Sequence, residues 1–292
     1  MVQLIASDMD GTLLNNNMVI SPRNAAAIKK AQREGVPFIV SSGRAYSEIK
    51  PLLEAAQINC PMITMNGGRM FDKDGREIFA APLPRMLADQ LITRFHRAGL
   101  YIEVITEKGV FSDDKTQRIQ NFAELLTRIH PGLPFKEAVI RSSARLELLN
   151  INYIDDYQEL LDDPHTTFFK VVAFSAAGPT VLAPLKQELL EAHDNIAITS
   201  SAASNIEVNH INAQKGIAVS KYADMLNIPL DNVMAIGDNN NDVSMLKVAG
   251  ISYAMQNGSA EVKHLAQHIA APNDQDGVGK AIEAELAKNN NL

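Results

Sequence analysis

The stretch Val2-Gln3-Leu4-Ile5-Ala6, followed at once by Ser7-Asp8-Met9-Asp10-Gly11-Thr12, passes from a short, mostly apolar run into a polar loop. A run of that length and character suits a strand buried on both faces. Ser21-Pro22 then opens a helix that extends to about Glu34, with Ser as N-cap and Pro at the first helical position. Gly35 stops it, and Val36-Pro37-Phe38-Ile39-Val40 reads as the next strand. A helix from Ala45 to Gln57 and a strand at Met62-Ile63-Thr64 follow. This strand–helix alternation implies right-handed crossovers and a parallel sheet.

The same rhythm returns late in the chain. Gln214–Leu226, Asp242–Val248, Ser259–Gln267 and Val278–Lys288 read as helices, and Asn232–Ile236 and Gly250–Met255 as strands. Between the two halves the pattern changes, with strand candidates at Tyr101–Ile105, Arg145–Ile151, Phe168–Phe174 and Asn195–Thr199. The fold class is therefore α/β, with residues 1–84 and 206–292 forming one parallel-sheet domain. Residues 85–205 form an α+β domain inserted into it.

Composition narrows the function. Of 292 residues, 46% are hydrophobic and 21% charged, which argues against a disordered chain. The formal net charge is −7, with no long basic run, so electrostatic capture of nucleic acid or of an anionic membrane is not expected. No apolar stretch approaches the roughly 18 residues of a membrane span. The single cysteine, Cys60, cannot form an internal disulfide, and a cytoplasmic globular protein is the simplest expectation.

Three polar clusters follow expected strands: Asp8-Met9-Asp10-Gly11-Thr12, Ser41-Ser42-Gly43-Arg44, and Gly237-Asp238-Asn239-Asn240-Asn241-Asp242. In an open parallel sheet the carboxyl ends of the strands share one edge, where ligands bind, so the clusters should converge. Convergence crowds Asp8, Asp10, Asp238 and Asp242. Each like-charge pair at 4 Å costs about 4 kcal/mol at an effective dielectric of 20. Either some of these carboxyls have raised pKa values, or a divalent cation sits among them. Oxygen-only ligands favour Mg2+ over zinc. Ser42 adds a hydroxyl, Gly43 lets backbone N–H groups approach an anion at a helix start, and Lys215 adds a point charge. Phosphoryl transfer needs this set.

Other readings fit less well. A calcium loop needs Gly at position six and an acid at twelve. Counted from Asp8 those positions hold Leu13 and Val19, and counted from Asp238 they hold Val243 and Ala249. His264 and His268 have the spacing of a metal pair but lack the zincin glutamate, and they read as helix-face histidines. Asn257-Gly258-Ser259 fits a glycosylation pattern that has no meaning in a cytoplasmic chain. No nucleotide-binding glycine loop is present.

With these residues in order, the chain resembles the Cof-type branch of the haloacid dehalogenase superfamily, phosphatases with a type IIB cap. Asp8-Met9-Asp10-Gly11-Thr12 resembles the first motif, Ser41-Ser42-Gly43-Arg44 the second, Lys215 the third and Gly237-Asp238 through Asn241-Asp242 the fourth. Asn66-Gly67 is similar to the family's turn at the cleft edge, where Arg44 also falls. The resemblance implies a Rossmann-like core and makes residues 85–205 the cap that reads the substrate.

The resemblance also assigns roles, and they agree with the chemistry above. Asp8 is the nucleophile and Asp10 the general acid and base. Met9, Ser42, Gly43, Lys215 and Asn241 form the phosphate-binding set. Asp8, the Asp10 backbone carbonyl and Asp238 hold Mg2+, with Asp242 and Asn239 in or near its ligand shell. The expected partner is a small phosphorylated metabolite, most often a sugar phosphate in this family, and the expected state is a monomer or weak homo-oligomer. A phosphomutase of the same superfamily and a non-catalytic phosphate-metabolite sensor are the alternatives. In the inserted domain Arg141, Arg145, Glu147 and Lys170 can face either the cleft or solvent, and periodicity leaves that open.

Overall fold

Leu4 and Ala6 point to one side of their strand and Ile5 to the other, and all three are fully buried. That two-sided burial follows from a sheet sandwiched between helices. The computed structural model describes residues 1–129, 132–146, 151–200 and 202–289. The chain divides into two units, Met1–Ala81 with Asn212–Leu292, and Pro82–Ile211.

The first unit carries an eight-stranded sheet among the described residues. Its order is His268–Ala270, Ile251–Met255, Val233–Gly237, Leu4–Ser7, Phe38–Ser41, Met62–Thr64, Arg69–Phe71 and Glu77–Ala80. The first six strands run parallel, and the last two add an antiparallel hairpin at the edge. On one face the helices Pro22–Arg33 and Gly277–Asn289 pack Ile28, Val278 and Ile282 against Ile5, Val40 and Ile236. On the other, Lys215–Met225 and Val243–Val248 bring Ala218, Val219, Met245 and Leu246 onto Leu4, Ala6 and Ala235. Ser21 caps its helix as expected, its hydroxyl accepting from the Asn24 N–H at 3.1 Å.

From the central Leu4–Ser7 strand the chain steps toward Phe38–Ser41. From neighbouring Val233–Gly237 it steps the other way, toward Ile251–Met255. The crevice at such a reversal is where open α/β sheets bind ligands. Ser7 pairs with Ile236, and the Asp8 N–H donates to the Ile236 carbonyl at 2.9 Å, so the loops carrying Asp8 and Asp238 start side by side.

Among the described residues the second unit carries a six-stranded sheet in the order Ile196–Thr199, Asn205–His210, Phe168–Phe174, Tyr101–Thr106, Gly109–Ser112 and Ile151–Tyr153. It is antiparallel except for its last pair. Helices Arg85–Arg97 and Pro179–Ala192 cover one face with Leu87, Leu91, Phe95, Leu182 and Leu185.

Several expectations need correction. The division falls at Ala81/Pro82 and Ile211/Asn212, three and six residues from the expected bounds after 84 and before 206. The Leu83 N–H donates to the Phe168 carbonyl at 2.7 Å, and Asn205–His210 is an interior strand of the second sheet. Arg145–Ile151 is not one strand. Helix Phe135–Leu146 takes in Arg145, and Ile151 opens a separate strand. Glu147 lies outside the described residues, as does the Arg145 side chain. The expected helix to Gln267 ends at Leu265, where Ala266 turns extended, and His268 begins a strand with its ring against Tyr253. His264 and His268 therefore sit on different elements.

Candidate active site

Everything central to the site lies at the carboxyl edge of the first unit's sheet. Beyond Asp8 the backbone turns through Gly11 at φ +75°, a left-handed conformation that favours glycine. A Cβ added there would lie 2.5 Å from Asp238 Oδ2, so the turn's tightness brings its backbone against the fourth-motif aspartate. Thr12 completes the loop by donating its hydroxyl to Asp238 Oδ1 at 2.8 Å.

Lys215 is the hub. It opens its helix, is completely buried, and donates from Nζ to Asp8 Oδ1 and to Asp242 Oδ1, both at 2.6 Å. Asp242 Oδ2 accepts from the Asp238 and Asn239 N–H groups at 2.9 and 3.0 Å. Both Asp242 oxygens are thus engaged in holding the lysine and folding the loop. Asp8, Asp238 and Asp242 can each offer an oxygen lying within 4.8 Å of the others.

The charges are strongly perturbed. Burial pushes the Asp8 carboxyl well above the ordinary carboxylate range, Asp242 and Asp238 push the same way, and Lys215 opposes them. Asp238 is also raised, by burial first and by Asp242 second, with the Thr12 hydroxyl opposing. Burial works against the Lys215 charge, but Asp242 and Asp8 outweigh it and hold the ammonium above its usual range. One lysine does not neutralise three aspartates, and a divalent cation fits the remaining charge. The donors are carboxylates without Cys or His, which suits a hard cation. Asp8 and Asp238 are its best-placed side-chain ligands, since Asp242 is already engaged.

The remaining expected residues divide. Ser42 is buried beside this edge, its hydroxyl oxygen accepting from the Arg44 N–H at 3.2 Å, which leaves the hydroxyl proton free to donate. Asn241 Nδ2 donates to Asn66 Oδ1 at 3.1 Å, joining the fourth cluster to the Asn66-Gly67 turn. That turn is tight: Gly67 has φ +98°, and a Cβ would lie 2.4 Å from the Gln214 backbone, immediately before Lys215. Gly43 is exposed and packs close to Asn66. Met9 buries its side chain in the core, so only its backbone is available to an anion.

Two expected metal residues are not brought into the cluster by their side chains. Asn239 is exposed, with Oδ1 accepting from the Asn240 N–H at 2.8 Å. Asp10 points instead to Arg44, which donates from Nε and Nη2 to its two oxygens at 2.7 and 2.6 Å. Sequence reasoning gave no part to Thr12's hydroxyl or to Asn257. Asn257 Nδ2 donates to the Gly11 carbonyl at 2.7 Å, and its Oδ1 accepts from the Asn273 N–H at 2.9 Å. The usable signal for Asn257 was its position just after the Ile251–Met255 strand, at the same sheet edge.

A buried lysine clamped between carboxylates at a switch-point crevice, with hydroxyl and amide groups around it, defines a phosphoryl-transfer enzyme of the doubly wound class. Residues 5–282 match the family of haloacid dehalogenase-like hydrolases. The phosphatase YwpJ of Bacillus subtilis is 31% identical, over 97% of this chain and 99% of its own. YwtE of the same organism, a 5-amino-6-(5-phospho-D-ribitylamino)uracil phosphatase, is 30% identical over 98% and 99%. The solved structure of a haloacid dehalogenase-like hydrolase from B. subtilis superposes with a TM-score of 0.83 at 29% identity, covering 97% of this chain and 99% of that one. The chain belongs to the haloacid dehalogenase-like hydrolases, and within them it is a phosphatase of the Cof type. No helix among the described residues is long and apolar enough to cross a membrane.

Proposed function

We propose that this phosphatase depends on Mg2+ and hydrolyses a small phosphorylated metabolite, a sugar phosphate or related polyol phosphate, through an aspartyl-phosphate on Asp8. The observation that carries the proposal is Lys215, fully buried and 2.6 Å from both Asp8 and Asp242. It holds the Asp8 carboxylate in one orientation and aims positive charge where a phosphoryl group would sit. The YwtE relative, named for a phosphorylated ribitylaminouracil, supports a hydroxyl-rich organic half.

Asp8 attacks phosphorus in line while the bond to the ester oxygen breaks. Asp10 gives that oxygen a proton, then takes one from the water that cleaves the Asp8–phosphorus bond. Arg44 donates to both Asp10 oxygens and orients the carboxyl, and each oxygen keeps a second lone pair for proton transfer. Ser42, the Gly43 amide, Lys215 and Asn241 hold the equatorial oxygens. Asp8, Asp238 and the Asp10 backbone carbonyl would hold the cation, which supplies charge that keeps Asp8 ionised and offsets the phosphate's own.

The test is phosphate release from p-nitrophenyl phosphate and a panel of phosphorylated metabolites, after chelation and after adding back single cations. Restoration by Mg2+, with sugar or polyol phosphates preferred, supports the reading. Full turnover after exhaustive chelation refutes the metal dependence, and preference for another organic class refutes the substrate.

A further inference from the structure

The Asn257-Gly258-Ser259 stretch lies just past the Ile251–Met255 strand and touches both loops that carry the acidic cluster. On one side the Ser259 N–H donates to the Asp238 carbonyl at 2.9 Å, and the Ser259 hydroxyl donates to Asn240 Oδ1 at 3.2 Å. Gly258 packs so closely there that a Cβ would lie 2.8 Å from the Asp238 carbonyl oxygen. On the other side Asn257 Nδ2 donates to the Gly11 carbonyl at 2.7 Å. Its Oδ1 accepts from the Asn273 N–H at 2.9 Å, which sets the end of the amide that is turned to Gly11. Asn273 Nδ2 donates to the Leu14 carbonyl at 2.9 Å. Buried Asn24 donates to the Leu13 carbonyl at 3.3 Å and accepts from the Gly279 N–H at 2.8 Å. Three asparagine amides thus take carbonyls of one loop, and of the three Asn257 takes the one beside Asp10.

The place of that carbonyl matters. It belongs to the peptide joining Gly11 to Thr12, whose hydroxyl holds Asp238. The peptide before it carries the Asp10 carbonyl, one of the groups assigned to the cation. Each peptide is planar, so only the Gly11 dihedrals, φ +75° and ψ −1°, separate the two planes. Glycine itself restrains those dihedrals least of all residues, and the restraint must come from outside the loop. Stability alone does not call for a side chain here. Asn257 is exposed and Gly11 half-buried, so water would satisfy the carbonyl nearly as well. What a side chain anchored at both ends adds is a fixed direction.

We propose that Asn257 is a positioning residue for the divalent cation, holding the Gly11 peptide so that the Asp10 carbonyl and, through Thr12, the Asp238 carboxylate keep their places as ligands. This deepens the proposed function and rests on its metal site. Groups that orient ligands without touching a metal govern its affinity as well as the ligands do.

The experiment titrates Mg2+ into the full-length wild type, Asn257→Leu, Asn257→Ala and Asn289→Ala by isothermal calorimetry, without substrate. Asn289 is the matched control. It makes the same kind of bridge, accepting from the Val2 N–H at 3.0 Å and donating to the Val2 carbonyl at 2.8 Å, but before the Leu4–Ser7 strand rather than after it. The Mg2+ Kd should rise roughly tenfold in Asn257→Leu. It should rise about threefold in Asn257→Ala, where water can enter and donate to the carbonyl. In Asn289→Ala it should stay within twofold of wild type. In turnover of p-nitrophenyl phosphate, excess Mg2+ should return kcat of both Asn257 variants to within about threefold of wild type, a recovery that general damage to the fold would not show. A Kd within twofold of wild type in both Asn257 variants overturns the inference, as does an equal rise in Asn289→Ala. If the wild type itself binds no Mg2+, the proposed metal dependence fails and this inference fails with it. If the wild type binds Mg2+ and the Asn257 variants bind it as well, this inference fails alone.

Discussion

Replacing Gly11 by Ala should separate the geometry of the acidic cluster from its chemistry, because no charged or polar side chain is changed. A Cβ at Gly11 would sit 2.5 Å from Asp238 Oδ2, where ordinary contact begins at 3.4 Å, so the carboxylate or the loop must yield by about 0.9 Å. A misplacement of about 1 Å in a catalytic constellation costs on the order of 100-fold in rate. The φ of +75° adds strain of roughly 1–2 kcal/mol for a residue with a side chain. Gly35→Ala is the matched control. Its φ is +81°, but nothing lies within 4 Å of the added atom. Both variants should lose similar stability in urea melts, while only Gly11→Ala should lose about 100-fold in kcat/KM on p-nitrophenyl phosphate and need more Mg2+ for half-maximal rate. If Gly11→Ala keeps kcat/KM and Mg2+ demand within twofold of wild type, the position of Asp238 does not govern the reaction, and the reasoning fails.

Asp8→Asn should leave less than about one thousandth of wild-type turnover, a loss of more than about 4 kcal/mol, measured by phosphate release. Because the Asp8 carboxyl is raised in the folded state, the native protein holds a proton that the unfolded chain has lost between the ordinary carboxylate value of 3.8 and the raised one. That contribution to stability therefore falls as pH rises through this window. In metal-free buffer Asp8→Asn should accordingly melt higher than wild type at neutral pH, with the gain shrinking as pH falls toward 3.8; an equal gain at both ends would contradict the sign. Lys215→Met leaves the three aspartates without their cation and should cost roughly 3–5 kcal/mol in a denaturant titration as well as most of kcat. Thr12→Val removes the hydroxyl from Asp238 and should weaken Mg2+ binding about tenfold, read from the rate against Mg2+ concentration.

The site was legible because its parts follow strands. Asp8, Ser42 and Asp238 each stand just past a short apolar run, and parallel pairing carries all three to one edge. The sequence could not show which atoms pair once they arrive there. Asp242 reads like a metal ligand, yet its second oxygen folds its own loop, and Asn239 turns outward to cap the next residue. Asp10 and Arg44, far apart in sequence, meet only because adjacent strands end together. Around the inserted unit the alternation of Asn205, Glu207 and Asn209 with Ile206 and Val208 is a strand signal, and that strand carries the inserted unit past the expected bound at 205, to Ile211. The Arg69–Phe71 and Glu77–Ala80 hairpin is short and borders the sheet, so little periodicity marked it.

The central claim is that Asp8 carries the phosphoryl group between substrate and water. The most direct measurement is rapid mixing of the wild-type enzyme with substrate and Mg2+, acid quench on the millisecond scale, borohydride reduction of acyl phosphate, and mass spectrometry of the peptides. Asp8 should be converted to homoserine in proportion to the enzyme engaged in turnover, and Asp10, Asp238 and Asp242 should remain unmodified. Steady release of phosphate with no modification at Asp8, or with the modification at another aspartate, would contradict the account.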